Sequence, residues 1–322
     1  METRYLTVIG VGYWGKNLVR NFSQLGVLHS ICDSNQELLK QCQAEHKVEK
    51  AFSDYKEALA DDTVKAVAIA APAVVHYEIV KAALLAGKDV FVEKPLALNV
   101  AEAEELIAIA ASHQRVLMVD HILQYHPAII KLKDLIHSGI LGKLQYIYSN
   151  RLNIGKLRSE ENILWSFAPH DISVILSLVE EQPKKVTAFG QDYLQENVYD
   201  TTMTMMNFAN RLRAHLFVSW LHPFKEQKLV VVGDTKMAVF NDVEEENQLV
   251  LYSHKVQWVH RVPVASKGQF EAVPLEKKEP LKEACLHFLD CVATRKSPQT
   301  DGKEALAVLK VLHQSQEALD QR

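Results

Sequence analysis

Residues 6–15 read Leu-Thr-Val-Ile-Gly-Val-Gly-Tyr-Trp-Gly: an apolar run ends in Gly10-x-Gly12-x-x-Gly15 and passes straight into a helical pattern over 16–24. That order constrains the fold more than three glycines would alone. Gly10 permits a tight turn after a strand, Gly12 leaves room for a phosphate to approach the backbone, and Gly15 lets the helix pack closely on the strand. The helix N-terminus offers free N–H groups and the positive end of its dipole to an anion. A second apolar stretch over 27–32 ends at Asp33, eighteen residues past Gly15, where a carboxylate accepts hydrogen bonds from a ribose diol. Strand, glycine turn, helix, strand and acid together predict a dinucleotide site. NAD is expected over NADP, because Asp33 repels a 2′-phosphate and Ser34 and Asn35 supply no arginine to offset that repulsion. The competing reading is a tight strand–helix turn that binds nothing.

The pattern extends beyond the first unit. Strands expected at 6–10, 27–32, 66–70, 89–92 and 115–119 alternate with helices expected at 14–25, 35–46, 54–60, 76–87 and 99–112. Such alternation implies parallel pairing through right-handed crossovers. After 125 it stops. A helix over 128–137 leads to a strand over 144–150, a polar segment and a helix through the 170s. Long strands follow at 185–191, 201–208, 212–220, 227–233, 237–241 and 249–252, joined by short turns, which argues for an antiparallel sheet. Helices at 282–295 and 303–320 close the chain. The predicted architecture is an α/β Rossmann domain over 1–121, then an α+β domain over 122–322 with a large open, mainly antiparallel sheet. Aliphatic residues at 203–220 and 228–232 suggest that the second face of that sheet is not fully wet, so a homodimer or homotetramer is expected through it.

Composition narrows the classes of function. The chain has 322 residues with a net charge of −4. It lacks the basic excess that a nucleic-acid partner needs, and no apolar run approaches the roughly 20 residues of a membrane span. The first strand leaves no room for a signal peptide ahead of it, and a cytoplasmic location is expected. Cys32, Cys42, Cys285 and Cys291 form no Cys-x-x-Cys pair and are expected as reduced thiols. No metal site is expected.

Several other residues are candidates for chemistry. Lys94, in Glu93-Lys94-Pro95, follows the carboxyl end of a parallel strand, where open α/β sheets place ligands. Pro95 restricts its backbone. A lysine there can hydrogen-bond a substrate hydroxyl and favour its ionisation; the bland alternative is a surface lysine near a turn. His170 follows Pro169, which would suit a helix's first turn. At a helix start the dipole disfavours the imidazolium, which suits a neutral base; alternatively His170 packs in an interdomain seam. The loop over 153–162 is rich in donors. Lys156 and Arg158 could hold phosphate or carboxylate, Asn162 lies beside them, and Lys225 is a weaker candidate of the same kind. The alternative is a solvated loop. His121, Tyr125 and His126 could line a cleft or pack at the domain junction. Two other classes compete: a metal-dependent hydrolase using His121, His126, His170 and Asp171, and a non-catalytic NAD-binding sensor.

Together these pieces resemble the glucose–fructose oxidoreductase/inositol dehydrogenase/MocA family of sugar oxidoreductases, over essentially the whole chain. The markers are Gly10-x-Gly12-x-x-Gly15, Ala71-Pro72 with His76, Glu93-Lys94-Pro95, and His170 in the second domain. The resemblance implies that Lys94 and His170 flank the substrate carbon facing the nicotinamide. It also implies that Tyr13, Trp14, Ala71, Pro72, His76 and Glu93 join the glycines and Asp33 around NAD, and that Tyr125 faces the substrate. The family commonly has aspartate four residues before the histidine, where this chain has Ser166. Asp171 is adjacent in sequence, but a helix would aim it elsewhere. Gly-Tyr-Trp-Gly-Lys-Asn-Leu at 12–18 and Trp-Ser-Phe-Ala-Pro-His-Asp at 165–171 are similar to the branch that oxidises the 3-hydroxyl of UDP-N-acetylglucosamine or its uronic acid. In that branch an aminotransferase takes the ketone, toward cell-surface polysaccharide or lipid A. Sugar phosphates and inositol are the weaker substrate options.

Overall fold

The computed structural model describes residues 4–155 and 157–321. It contains two compact units, residues 1–122 with 279–309, and residues 123–278 with 310–322. In the first, β1 (Leu6–Ile9), β2 (Leu28–Cys32), β3 (Lys50–Phe52), β4 (Ala66–Ile69), β5 (Asp89–Glu93) and β6 (Leu117–Asp120) form a parallel sheet in the order β3-β2-β1-β4-β5-β6. Helices α1 (Gly15–Gln24), α2 (Gln36–His46), α3 (Tyr55–Ala60), α4 (His76–Leu85) and α5 (Val100–Ser112) connect the strands. Every residue of β1 and β4 is buried, as a parallel sheet covered on both faces requires. The strand order reverses between β1 and β4, and that switch point is where such sheets bind ligands.

In the second unit α6 (Pro127–His137), β7 (Leu144–Leu152) and α7 (Ile163–Val179) precede a run of strands. These are β8 (Lys185–Gln191), β9 (Thr201–Asn207), β10 (Arg213–Ser219), β11 (Glu226–Gly233), β12 (Met237–Asn241) and β13 (Leu249–Tyr252). With β16 (Phe270–Ala272) they make an eight-stranded sheet ordered β16-β13-β12-β11-β7-β10-β9-β8. All its pairs are antiparallel except β7 with β10. A separate hairpin, β14 (Lys255–Val259) and β15 (Val262–Ser266), exposes every residue. The sequence reading did not anticipate β3 or the strands over 255–272.

Helices α8 (Pro280–Thr294) and α9 (Gly302–Asp320) close the chain. The sequence reading gives all of 122–322 to the second domain, whereas residues 279–309 belong to the first unit. Packing explains the difference. Phe288 of α8 meets Phe91 of β5 edge-on, with centroids 5.6 Å apart. The Arg295 guanidinium donates to both oxygens of the buried Asp89 carboxylate, and Thr300 bonds the Val119 backbone of β6. The four cysteines are free and buried. No helix among the described residues is long and apolar enough to cross a membrane.

Candidate functional site

The turn between β1 and α1 is built by its glycines. Gly10 has φ +87°, and a Cβ there would lie 2.7 Å from the Ala70 carbonyl. A Cβ on Gly15 would lie 1.8 Å from the Gly10 carbonyl oxygen. Both glycines are therefore required by the protein's own backbone. Gly12 is different: a Cβ there meets nothing within 4 Å. The space beside it is open to an incoming group. The Trp14 side chain makes no hydrogen bond that caps α1, and no acid stands in the helix's first turn, so the first turn itself brings no charge to neutralise that dipole end. These features fit a dinucleotide's pyrophosphate.

Asp33 closes the same turn from the end of β2. Its Oδ2 accepts from the Val11 N–H at 2.9 Å and its Oδ1 from the Asn35 N–H at 2.8 Å. Each carboxylate oxygen keeps a further lone pair for a ribose hydroxyl. Beyond β4, Ala71 and Pro72 lead into α4. His76 is buried, with Nδ1 2.7 Å from the Pro95 carbonyl oxygen and Nε2 2.8 Å from that of Ala71. Its ring ties the segment after β4 to the segment after β5, where the Lys94–Pro95 bond is cis. Burial lowers the His76 pKa; the two carbonyls oppose this but are outweighed, and the Lys94 charge adds to the lowering. His76 is thus a positioning group for those two segments. Tyr13 is largely exposed, and the half-exposed Trp14 donates its indole N–H to Glu93 Oε1.

In the second unit the structure corrects the sequence reading of His170. Helix α7 begins at Ile163, and Pro169 lies inside it. Pro169 therefore cannot mark the first turn, and His170 is far from the positive dipole end, whose influence fades within one turn. The true start is set by Asn162, whose side-chain oxygen accepts from the Trp165 N–H while its amide nitrogen donates to Gln316. Both ends of that amide hold structure, so Asn162 is the cap of α7. Ser166 and His170, four residues apart, share a face of α7. Asp171 points elsewhere, as expected: the buried Arg151 guanidinium and the Ser149 hydroxyl donate to it.

The loop candidates separate. Arg158 forms an ion pair with Glu161 at 2.9 Å, so an incoming anion would compete with that carboxylate. Lys225 is exposed between β10 and β11, and Tyr125 is buried. Lys156 lies outside the described residues. The histidines proposed for a metal are otherwise engaged: His121 with Glu304 at 2.5 Å, and His126 as the cap of α6. Among the described residues no three His, Cys, Asp or Glu side chains converge as a metal site needs.

The sequence reading missed Asp120. It ends β6 in register with Glu93 of β5 and is 1% exposed. No local motif marks it. Its relation to Glu93 becomes visible only once the two strands are paired.

Comparisons with known proteins agree with this fold. An oxidoreductase family with an NAD-binding Rossmann fold matches residues 5–121, and the GFO/IDH/MocA C-terminal domain matches residues 129–239. UDP-N-acetylglucosamine 3-dehydrogenase of Acidithiobacillus ferrooxidans is 27% identical over 314 residues, covering 97% of this chain and 96% of that protein. A solved structure of that enzyme aligns with TM-score 0.87 over 99% of each chain. Myo-inositol 2-dehydrogenase of Thermotoga maritima is 25% identical over 256 residues, 76% of this chain and 77% of that protein. Levoglucosan dehydrogenase, solved with NADH and levoglucosan, shares the fold at TM-score 0.83 and 21% identity, over 98% of this chain and 97% of that one.

Proposed function

The chain belongs to the GFO/IDH/MocA family of NAD-binding oxidoreductases, and from that premise we propose that it oxidises the C3 hydroxyl of UDP-N-acetylglucosamine to a ketone. The observation that carries this reading is the end-to-end similarity to an enzyme of that activity. The 3-keto sugar has the chemistry that an aminotransferase consumes.

Bound NAD supplies the hydride acceptor. The chain's own residues do the rest. The open edge at Gly12 and the start of α1 hold the pyrophosphate, and Asp33 accepts from the ribose hydroxyls. Lys94 donates a hydrogen bond to the reacting oxygen, and His170 takes the hydroxyl proton. Ser166 cannot supply the carboxylate of an Asp–Lys–His arrangement. Lys156, Arg158 and Lys225 are the cations for the diphosphate. Of these, Arg158 must exchange Glu161 for phosphate, a trade that a dianion favours over a neutral polyol.

Lys94→Ala and His170→Ala are each expected to cut turnover by about 10²-fold or more, the usual loss for an acid–base group. NADH absorbance reports the rate. The test of substrate is a thermal-shift panel with NAD plus UDP-N-acetylglucosamine, its uronic acid, glucose 6-phosphate or myo-inositol. A midpoint raised by UDP-N-acetylglucosamine supports the reading. A shift by inositol or the sugar phosphate alone rejects the nucleotide sugar. Full turnover by both alanine variants rejects the assigned roles.

A further inference from the structure

At the carboxyl edge of the first sheet, two acids on neighbouring strands face one another. Glu93 and Asp120 are register partners on β5 and β6, and their carboxyl groups lie within hydrogen-bonding reach. Asp120 is buried, and neither of its oxygens accepts from any N–H or O–H of the described residues. A buried carboxylate with both oxygens unsatisfied beside a second carboxylate is costly twice over, in lost solvation and in like-charge repulsion. One proton removes both costs. It supplies the missing donor and leaves a single negative charge on the pair.

The surroundings limit how that charge is balanced. From the glycine turn, the Trp14 indole donates to Glu93 Oε1, leaving the other oxygen of Glu93 for Asp120. Lys94 follows β5, and its charge acts on Glu93, Asp120 and His76. His121, beside Asp120, is tied to Glu304 of α9. From α8, Cys285 is buried, its thiol pushed well up by burial and then by Asp120, Glu279 and Glu93. It therefore brings no charge. Glu279 is itself paired with Arg20. Lys94 is then the cation whose charge acts on both acids of the pair. One ammonium matches one shared negative charge.

We infer that Glu93 and Asp120 hold a single proton between them and act as a positioning pair for the Lys94 ammonium. The role given to Lys94 rests on the function proposed above; the shared proton does not. Burial moves the titration of both acids in the direction this requires, raising each. Asp120 is a positioning residue in this arrangement. It acts through Lys94.

The test is infrared difference spectroscopy of the full-length protein at pH 5.5, below the value of about 6 at which Asp120 titrates, with no sugar added. The wild type should show a protonated-carboxyl C=O band that disappears in both Glu93→Gln and Asp120→Asn. Absence of that band from the wild type overturns the inference, and so does its persistence in both variants. If one variant does not fold, the other with the wild type still decides. Where the sugar is turned over, Asp120→Asn should lower kcat at least tenfold with KM unchanged and with NAD affinity unchanged by calorimetry. It should also lose any limb of the kcat–pH profile near pH 6. A wild-type rate and profile in that variant removes the positioning role. If no sugar is oxidised, the infrared result stands alone, and only the proposed function falls.

Discussion

Single side chains decide which cofactor enters and at what pH the site holds together. Asp33 is pinned by two backbone N–H groups, so it cannot swing away from a 2′-phosphate. NAD should bind more tightly than NADP by calorimetry, and equal affinities would contradict the role of this carboxylate. Asp33→Ala should weaken NAD about tenfold or more, since a hydrogen bond to a charged group is worth about 1.5–3 kcal/mol. Asp120 makes a prediction about stability. Burial raises its pKa from the usual 3.8 to about 6, with Glu93, His121 and Lys94 pulling the other way. The folded state thus binds this proton more tightly than the unfolded chain does. The stabilisation is complete below the ordinary carboxylate value and is lost as pH rises through about 6, about 3 kcal/mol for two pKa units. Urea midpoints between pH 4 and 7.5 should fall more steeply for the wild type than for Asp120→Asn. Parallel curves would refute this.

Elements show why some of the site was legible in sequence and some was not. The strand–turn–helix at 6–24 could be read because Gly10 and Gly15 answer to constraints within a few residues or on the neighbouring strand, and Gly12 keeps their fixed spacing. The structure divides those constraints between fold and ligand. Gly12→Ala enters open space, so stability should hold within about 0.5 kcal/mol while NAD affinity drops. Gly15→Ala drives a Cβ into the Gly10 carbonyl, so stability should fall first. Paired thermal melts and NAD titrations distinguish the two, and equal losses of stability would mean that Gly12 is also structural. Helix α7 was harder. Pro169 resembles a helix start because proline suits the first turn, yet the Asn162 cap and the buried residues on either side keep the helix continuous through it. Glu93 and Asp120 were out of reach for another reason. They are 27 residues apart in sequence, and only the β5–β6 register makes them neighbours. The hairpin over 255–266 left no signal because it buries nothing, and burial is what imprints a period on a sequence.

For the whole molecule, the open question is what covers the second sheet. One face packs on α6 and α7. Alternation puts Thr202, Thr204 and Met206 of β9 inward, all nearly fully buried. Met203 and Met205 then point the other way, and Met203 lies between its register partners Phe189 and Phe217. Phe189 is 76% and Met203 43% exposed. On the same face Tyr148 stacks on His215, and the Tyr146 hydroxyl lies 2.8 Å from His215 Nδ1. An aromatic and thioether surface of this kind is costly in water and has the composition of an association surface. A second copy of the chain is the simplest cover, because the same apolar face on each copy is self-complementary. Light scattering at micromolar protein should therefore give a dimer or tetramer mass. Phe189→Lys with Met203→Lys should give a monomer with an unchanged circular dichroism spectrum, because both side chains are already exposed in the single chain. The wild type's melting temperature should rise with protein concentration and the double variant's should not. A monomeric wild type, or an oligomer that the two lysines leave intact, would mean that this face is not the contact.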